Sequence, residues 1–302
     1  MWGGLMKGII LAGGQGTRLY PSTEIMSKQL LPVFDKPMIY YALSILMLAG
    51  IQEIAIISTP RDIPFFKGLL GSGDTLGLQL SYLVQPEPKG IAESLILAES
   101  FLAGEPCALI LGDNFFYGDN LPALLQATVQ NFKHGAQLWA YKVRDASRYG
   151  VATFDASGKV LSLEEKPQQP TSPWAVTGLY FYDHKAPSLA RTLKPSARGE
   201  LEITDLNQLY LNAGELRVEQ WGRGMTWLDL GTSESLFDAS QYVQILEARQ
   251  GAKIACLEEI AYRMGYISYA LLKDLAERAP RSAYGEYMRM VCLEVSECGA
   301  SV

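Results

Sequence analysis

Short apolar runs alternate with helical patterns through the first part of the chain. Buried β-strands are predicted at residues 8–12, 54–58, 80–84 and 108–112. Helices are predicted at residues 38–49, between Pro37 and Gly50, and at residues 91–102. Strands that are apolar on both sides and separated by helices form a parallel sheet with both faces covered. The pattern therefore predicts an α/β sandwich.

The pattern changes after residue 137. Short strands are predicted at residues 138–143, 150–154, 160–163 and 177–182, with a turn at residues 155–158. We interpret the segment of about 138–182 as a small antiparallel insertion beside the main sheet. A further helix is predicted to begin at Thr204, an N-cap residue followed by an acid. From about residue 252 onward the pattern is helical. We therefore expect an α/β domain over residues 6–251 and a helical C-terminal extension over residues 252–302.

The composition argues against several functional classes. The formal net charge of −6 over 302 residues disfavours non-specific nucleic-acid binding, which needs a basic surface. The apolar runs are shorter than the ~20 residues of a membrane span, and the N-terminal segment has no leader of signal length. We therefore expect a cytoplasmic protein that binds neither nucleic acid nor membranes. The four cysteines show no C-x-x-C spacing and are predicted to be free thiols.

A glycine-rich segment, LAGGQGTR at residues 11–18, directly follows the first predicted strand. Its glycines let the backbone turn sharply and direct N–H groups towards an anion. The segment lacks the third glycine of a dinucleotide fingerprint, since Leu19 stands there, and it lacks the Gly-Lys-Ser/Thr of a P-loop. This argues against a nicotinamide-dependent oxidoreductase and a Walker-type ATPase. Taken alone, the segment is equally compatible with a tight strand-to-helix turn.

Two cations stand close to the glycines. Arg18 ends the segment, and Lys28 lies in SKQLLP at residues 27–32, just before a predicted turn. A guanidinium can hold phosphate oxygens through a fork of donors, and an ammonium supplies a point charge. Either residue alone would be an ordinary surface cation. Together with the glycines, they predict a phosphate-binding site.

Carboxylates occupy two positions that suit a hard cation. Asp113 follows the strand predicted at residues 108–112, at the end of a parallel strand where ligands bind. Asp229 lies between apolar neighbours, and a buried acid needs a cation or another partner. Each could instead form a turn or a cap. The run EEKP at residues 164–167 could bind a sugar phosphate or form a charged strand edge.

Together, these motifs resemble those of the sugar-nucleotide pyrophosphorylases. The likeness extends from about residue 7 to residue 263, and it is greatest to the members that use dTTP and glucose 1-phosphate. The motifs that carry it are LAGGQGTR (11–18), SKQLLP (27–32), FDKPMIYY (34–41), GD (112–113), RYGV (148–151), EKP (165–167), VTGLYFY (176–182), GELEITD (199–205) and WLD (227–229). The resemblance implies a Rossmann-like three-layer sandwich with a mainly parallel central sheet, a small antiparallel insertion and a C-terminal helical extension.

The resemblance also implies roles for individual residues. Catalysis falls to three cations, Arg18, Lys28 and Lys166. Nucleotide binding falls to Leu11, Gly13, Gly14, Gly16, Thr17, Gln29, Gln85, Pro86 and Gly90. Glucose 1-phosphate would be bound by Gly150, Glu165, Lys166 and Val176, and Mg²⁺ by Asp113 and Asp229. The implied reaction is an in-line attack of the sugar phosphate on the α-phosphorus of dTTP, which yields dTDP-glucose and pyrophosphate as the first step of dTDP-rhamnose synthesis.

Regulation and assembly are implied in the same way. Family members are usually homotetramers that dTDP-rhamnose inhibits at a second site, for which the candidates here are Tyr117, Gly118, Arg223, Glu259 and Arg263. The chain departs from the family at Glu93 and Ser94, where Gln and Ala are more frequent beside the base pocket, and at Leu230, where Thr is usual.

Two alternatives remain open at this point. The first is the same chemistry with UTP, because one glutamine can hydrogen-bond thymine and uracil alike. The second is a non-catalytic sugar-nucleotide sensor with the same fold. The joint presence of the three cations and the two aspartates named above argues against the sensor.

Overall fold

The computed structural model describes residues 6–14 and 16–299, apart from the side chains of residues 298 and 299. The strands are β1 Lys7–Leu11, β2 Pro32–Val33, β3 Lys36–Pro37, β4 Glu53–Ser58, β5 Gln79–Val84, β6 Cys107–Leu111, β7 Asn114–Gly118, β8 Ala136–Lys142, β9 Gly150–Phe154, β10 Val160–Glu165, β11 Trp174–Tyr182, β12 Leu216–Gln220 and β13 Met225–Asp229. The helices are α1 Ile39–Leu48, α2 Ile63–Leu70, α3 Glu93–Leu97, α4 Glu99–Leu102, α5 Leu121–Asn131, α6 Ala186–Thr192, α7 Ile203–Asn212, α8 Ser233–Gln250, α9 Leu257–Arg263, α10 Tyr269–Arg278 and α11 Ala283–Gly299. Short 3-10 turns occur at Thr17–Leu19, Lys28–Leu30 and Asp74–Leu76.

Most of the described strands form one sheet in the order β10-β9-β11-β6-β1-β4-β5, with β8 paired to β11 and β12 paired to β8. Strands β6, β1, β4 and β5 run parallel to one another, as predicted. Strand β5 ends the sheet and is only partly buried. The antiparallel strands expected in residues 138–182 are also present. They continue the main sheet instead of lying beside it, because β11 pairs antiparallel with β6 along the apolar stretch that ends at Tyr182.

The sheet separates two hydrophobic clusters, because successive residues of a strand point to opposite faces. Ile10 of β1 packs into the cluster formed with α1 and the C-terminal helices α9 to α11, whereas Ile9 packs into the cluster formed with α3, α4, α6 and α7. Both isoleucines are fully buried. The predicted three-layer sandwich is thus confirmed, and the helical C-terminal segment shares its core with α1.

The structure corrects three local predictions. Pro37 does not begin a helix, since it belongs to β3 and α1 starts after Met38. The helix predicted over residues 91–102 is divided into α3 and α4 at Ala98. Thr204 is not an N-cap. Glu202, whose backbone is extended, occupies the N-cap position of α7, and Thr204 lies in the first turn of the helix.

Three of the cysteines, Cys107, Cys256 and Cys292, are buried free thiols as predicted, and the side chain of Cys298 lies outside the described residues. Residues 1–5, which belong to the N-terminal segment expected to carry no leader, also lie outside the described residues. Within the described part of the chain, every helix is too short or too polar to cross a membrane.

Candidate active site

Two adjoining cavities open at the carboxyl edge of the parallel strands. The first, here called the glycine-loop cavity, is lined by Leu11, Gly13, Gly14, Lys28, Gln29, Gln85, Pro88, Gly90, Ile91, Leu111, Asp113 and Glu200. The second, here called the central cavity, includes in its lining Arg18, Asp113, Arg148, Tyr149, Gly150, Glu165, Lys166, Val176, Thr204 and Asp229. Asp113 lines both cavities. A ligand that spans the two cavities would therefore pass this carboxylate.

The glycine-rich segment leaves β1 in a conformation that only glycine adopts easily. Gly14 and Gly16 have φ angles of 99° and 59°, in the left-handed region. A Cβ atom on Gly16 would lie 2.8 Å from Cγ2 of Thr23, whose hydroxyl donates to the Gly16 carbonyl at 2.8 Å. Gly16 thus packs closely against Thr23, and Gly13 and Gly14 line the glycine-loop cavity.

Asp113 is held from two sides. It follows β6 directly, and the ammonium of Lys28 forms an ion pair with its Oδ2. The side-chain amide of Asn114 donates to its Oδ1 at 3.2 Å, and Asn114 in turn accepts from the indole N–H of Trp227 at 2.6 Å. Burial alone would raise the pKa of Asp113, but Lys28 and Asn114 outweigh burial and the pKa is lowered. The side chain is therefore a fixed carboxylate at neutral pH.

Asp229 reaches the same place through strand pairing. Strands β7 and β13 form an antiparallel ribbon in which Asn114 pairs with Asp229. The next residue, Leu230, donates its backbone N–H to the carbonyl of Asp113 at 2.9 Å and buries its side chain. Since the contact uses the backbone, leucine in place of the usual threonine leaves it intact.

The electrostatic environment of Asp229 differs from that of Asp113. Burial and the charge of Asp113 raise the pKa of Asp229, against the opposing effects of Lys28, Arg18 and Arg148. Arg148 Nη2 lies 4.0 Å from Asp229 Oδ2, and Arg18 packs over Gly231 beside the same carboxylate. Two mutually repelling carboxylates thus face a group of cations at the junction of the cavities.

The carboxylate pair fits a magnesium ion. Mg²⁺ is usually held by one or two carboxylates and takes its remaining ligands from phosphates and water. Among residues 6–14 and 16–299, no group of three or more His, Cys, Asp or Glu is arranged to hold a metal. Two acids at an open cavity therefore suit a metal that arrives with a phosphate ligand, and they do not suit a closed structural site.

Glu165 ends strand β10, Lys166 follows it directly, and both line the central cavity. Glu165 accepts hydrogen bonds from the Thr204 hydroxyl and, at 3.3 Å, from Arg198. Lys166 is half exposed, and its ammonium lies 3.4 Å from Glu165. Its φ of 44° is unusual for a residue with a side chain, and such strained positions occur most often at functional sites.

The sequence profile of the nucleotidyl transferase family matches residues 7–245, which include every residue that lines the two cavities. The chain belongs to this family. A glucose-1-phosphate thymidylyltransferase of Neisseria meningitidis is 54% identical over 284 residues, covering 94% of this chain and 98% of the relative. A glucose-1-phosphate thymidylyltransferase of Mycobacterium tuberculosis is 52% identical over 283 residues, covering 94% of this chain and 98% of the relative.

Solved structures of nucleotidyl transferases share the fold. A Bacillus anthracis protein described as a glucose-1-phosphate thymidylyltransferase, in complex with sucrose, superposes with a TM-score of 0.72 at 44% identity. It covers 78% of this chain, and 94% of its own length is matched. A UDP-glucose pyrophosphorylase complexed with UDP-glucose superposes with a TM-score of 0.69 at 26% identity, covering 80% of this chain and 99% of its own.

For this nucleotidyl transferase, the structure brings most of the predicted site residues together. Those that line one of the two cavities are Leu11, Gly13, Gly14, Arg18, Lys28, Gln29, Gln85, Gly90, Asp113, Gly150, Glu165, Lys166, Val176 and Asp229. Three lie elsewhere: Gly16 supports the loop from behind, Thr17 is exposed, and Pro86 is exposed while Pro88 takes the lining position.

The five regulatory candidates lie away from both cavities. Tyr117 and Gly118 belong to β7, and Arg223 is exposed just before β13. Glu259 and Arg263 pair with each other on α9, with 2.7 Å between Oε1 and Nε. Strand β7 and helix α9 both pack against α1.

Several residues of the site were not singled out from the sequence. Arg148 and Thr204 line the central cavity, and Asn114 fixes Asp113. Arg198 bonds both Glu165 and, at 2.8 Å, Glu202. The sequence feature that could have pointed to these arginines is their position, since Arg148 begins the motif RYGV and Arg198 directly precedes the motif GELEITD. No local pattern distinguishes them from surface cations.

Proposed function

We propose that the chain transfers the thymidylyl group of dTTP to glucose 1-phosphate and releases pyrophosphate. The observation that carries the proposal is the junction of the two cavities, where Asp113 and Asp229 meet Lys28, Arg18 and Arg148. This is a place where phosphate groups entering from both sides would meet acids that can hold a metal and cations that can neutralise charge. The relatives named above are glucose-1-phosphate thymidylyltransferases, which supports the choice of substrates.

In this proposal the glycine-loop cavity holds the nucleotide. The N–H groups of the loop around Gly13 and Gly14 would face the phosphates. Gln85 and Gly90, which line the same cavity, would read the base, and Gln29 would lie by the deoxyribose. Gln85 is almost fully buried, so its amide is well suited to discriminate between hydrogen-bonding partners.

The central cavity would hold glucose 1-phosphate. Glu165 is positioned by Thr204 and Arg198 and can accept hydrogen bonds from sugar hydroxyls. Lys166 supplies a cation for the sugar phosphate. A Cβ atom on Gly150 would lie 3.0 Å from the Thr204 hydroxyl, so glycine keeps this wall of the cavity clear.

The chemistry we propose follows from charge. The phosphate of glucose 1-phosphate is already an anionic nucleophile at neutral pH, so it needs no general base. It attacks the α-phosphorus of dTTP, an O–P bond forms, and the bond to the pyrophosphate oxygen breaks on the opposite side. Arg18, Lys28 and Lys166 would orient the phosphates and neutralise the developing charge, which is the main source of catalysis in phosphoryl transfer. Mg²⁺ held by Asp113 and Asp229 would supply further charge neutralisation at the triphosphate when bound.

We also propose the remaining family properties for this chain. They are a cytoplasmic location, a homotetramer, and inhibition by dTDP-rhamnose at a site built from β7 and α9 with Arg223. The packing of both elements on α1 supports a connection to the catalytic domain, since α1 is part of the main core.

The test is pyrophosphate release by the purified chain with glucose 1-phosphate and Mg²⁺, with dTTP and UTP compared and each assay repeated in EDTA. We expect release with dTTP that stops on chelation and is lost in Asp113→Asn. Asp119→Asn, an exposed aspartate on the same segment, is the matched control. Faster release with UTP would keep the mechanism and change the substrate. Nucleotide binding without release would overturn the proposal in favour of a sensor.

A further inference from the structure

The base-reading residue Gln85 has a partner that the proposed function does not use. Its side-chain Nε2 donates to Oε2 of Glu93 at 2.7 Å, and the carbonyl of Gly90 lies 3.5 Å from the same nitrogen. Glu93 is the first residue of α3 and is half-buried behind the cavity wall. The contact joins two side chains that are eight positions apart across the turn after β5.

The chemistry of these partners fixes which way the Gln85 amide faces. An ionised glutamate and a backbone carbonyl only accept hydrogen bonds, whereas the two ends of a glutamine amide are a donor and an acceptor. With two acceptors on one side, the nitrogen must face them. The oxygen then takes the other side, next to Gly13, where a Cβ atom would come within 2.7 Å of it.

The amide therefore presents a fixed pattern to the glycine-loop cavity. Among the described residues, none donates to Gln85 Oε1, and the amide nitrogen donates to Glu93 and Gly90, so the group left for a ligand is the acceptor Oε1. Thymine and uracil have an N3–H group that can donate to this oxygen. Cytosine has an acceptor at N3, which would face the Gln85 oxygen, so its N3 could be hydrogen-bonded by Gln85 only with the amide turned over.

We propose that Glu93 is a positioning residue that makes the site select thymine or uracil against cytosine. Turning the amide over would place the Gln85 oxygen against the carboxylate of Glu93 and the carbonyl of Gly90, three acceptors without a donor. A buried polar group left without a partner costs enough to change affinity on the order of tenfold to a hundredfold. The inference rests on the proposed function, because it takes Gln85 to be the residue that contacts the base.

The discriminating variant is Glu93→Gln. A glutamine at this position has both a donor and an acceptor, so it can pair with Gln85 in either orientation and keeps nearly the same size. We expect tighter binding of dCTP with little change for dUTP, so that the dissociation constant for dCTP divided by that for dUTP falls on the order of tenfold. Glu93→Leu removes the hydrogen-bond partner of Gln85 altogether, and this variant is expected to bind dUTP more weakly than the wild type. Glu87→Gln is the control, because Glu87 is exposed on the same turn and pairs with Lys89 at 3.0 Å.

The experiment is calorimetric titration of the full chain with dUTP and with dCTP, which differ only at the edge that Gln85 would read. Thermal unfolding of each variant checks that it folds. In the transfer assay the change is expected in KM for the nucleotide, with kcat for dUTP unchanged. If the dissociation constant for dCTP divided by that for dUTP in Glu93→Gln stays within twofold of the wild-type value, the role of Glu93 is overturned. Because binding is measured without the sugar phosphate, this outcome is distinct from a failure of the transfer reaction itself.

Discussion

The ammonium of Lys28 is paired with the carboxylate of Asp113, although 85 positions separate them. Both side chains are mostly buried, with 14% and 11% of their surface exposed. The pair joins the segment that follows the glycine-rich loop to the end of the central strand β6. Since Asp113 lines both cavities, Lys28 sets the charge at the point where the two substrates would meet.

This pairing predicts strong coupling between the two residues in the metal-free protein. Lys28→Met leaves a buried carboxylate without its cation, and we expect a loss of about 3 kcal/mol in the free energy of unfolding. Asp113→Asn in the same chain removes the orphaned charge, so the double variant is expected to be more stable than Lys28→Met alone. Urea unfolding in EDTA measures all four proteins of the cycle. Additive losses would show that the two charges do not interact.

A second prediction concerns the stability cost of the acid pair. The pKa of Asp229 is raised by burial and by Asp113. Such a group contributes stability that is complete below its ordinary pKa of 3.8 and is lost as the pH rises through its raised folded pKa. At pH 7 the metal-free protein therefore carries an unfavourable charge at this position.

Replacing this charge should stabilise the apoprotein. We expect Asp229→Asn in EDTA to unfold at least about 2 °C above the wild type at pH 7, with a smaller difference near pH 4. Magnesium should raise the unfolding temperature of the wild type but not that of the variant, and the variant should lose turnover. Scanning calorimetry with and without Mg²⁺ provides the measurement, and Asp119→Asn serves as an exposed control. An unchanged or lower midpoint for Asp229→Asn in EDTA would contradict the electrostatic account.

The acid pair shows which features of the site can be predicted from the sequence and which depend on the fold. Asp113 was predicted because it ends a uniformly apolar strand, and that signal is local. Its meeting with Asp229 depends on the ribbon of β7 and β13, whose pairing joins distant parts of the chain. The sequence suggested two separate acids at ligand-binding positions, and the resemblance joined them into one metal site. Their opposite pKa shifts arise from contacts with Lys28 and burial, which no local pattern contains.

Thr204 illustrates the opposite case, in which a local signal was misleading. A threonine followed by an acid is typical of a helix start, yet tertiary contact prevails here. The helix begins one residue earlier, and the hydroxyl of Thr204 bonds Glu165 on the neighbouring strand. Arg148 and Arg198 could not be separated from surface cations, because their function depends on which acids the fold brings to them.

A third prediction separates the role of Arg18 in turnover from any role in folding. Arg18 is exposed at the cavity rim, so Arg18→Ala should leave the unfolding temperature nearly unchanged. A well-placed arginine in phosphoryl transfer contributes on the order of 10³-fold or more, and we expect a loss of that size in kcat. Arg144→Ala, an exposed arginine outside both cavities, should retain full activity.

A second variant at this site moves the guanidinium without removing it. A Cβ atom on Gly231 would overlap the Arg18 side chain, so Gly231→Ala should displace Arg18 and lower turnover. Steady-state pyrophosphate release measures both variants. Near-normal turnover in a folded Arg18→Ala protein would remove Arg18 from the catalytic group.

The last prediction uses the backbone strain at Lys166. Its φ of 44° costs a residue with a Cβ atom roughly 1 kcal/mol or more, whereas glycine adopts this conformation freely. Elsewhere in a strand or helix, glycine is less stable than alanine. At this position the order should reverse, with Lys166→Gly more stable than Lys166→Ala by about 1 kcal/mol.

Both variants lose the ammonium, so both should lose turnover by on the order of 10²-fold while still binding nucleotide in the separate glycine-loop cavity. Chemical unfolding and titration with dTTP test the two parts independently. If alanine proved the more stable replacement, the strain would not be real; if turnover survived in either variant, the ammonium of Lys166 would have no part in the reaction.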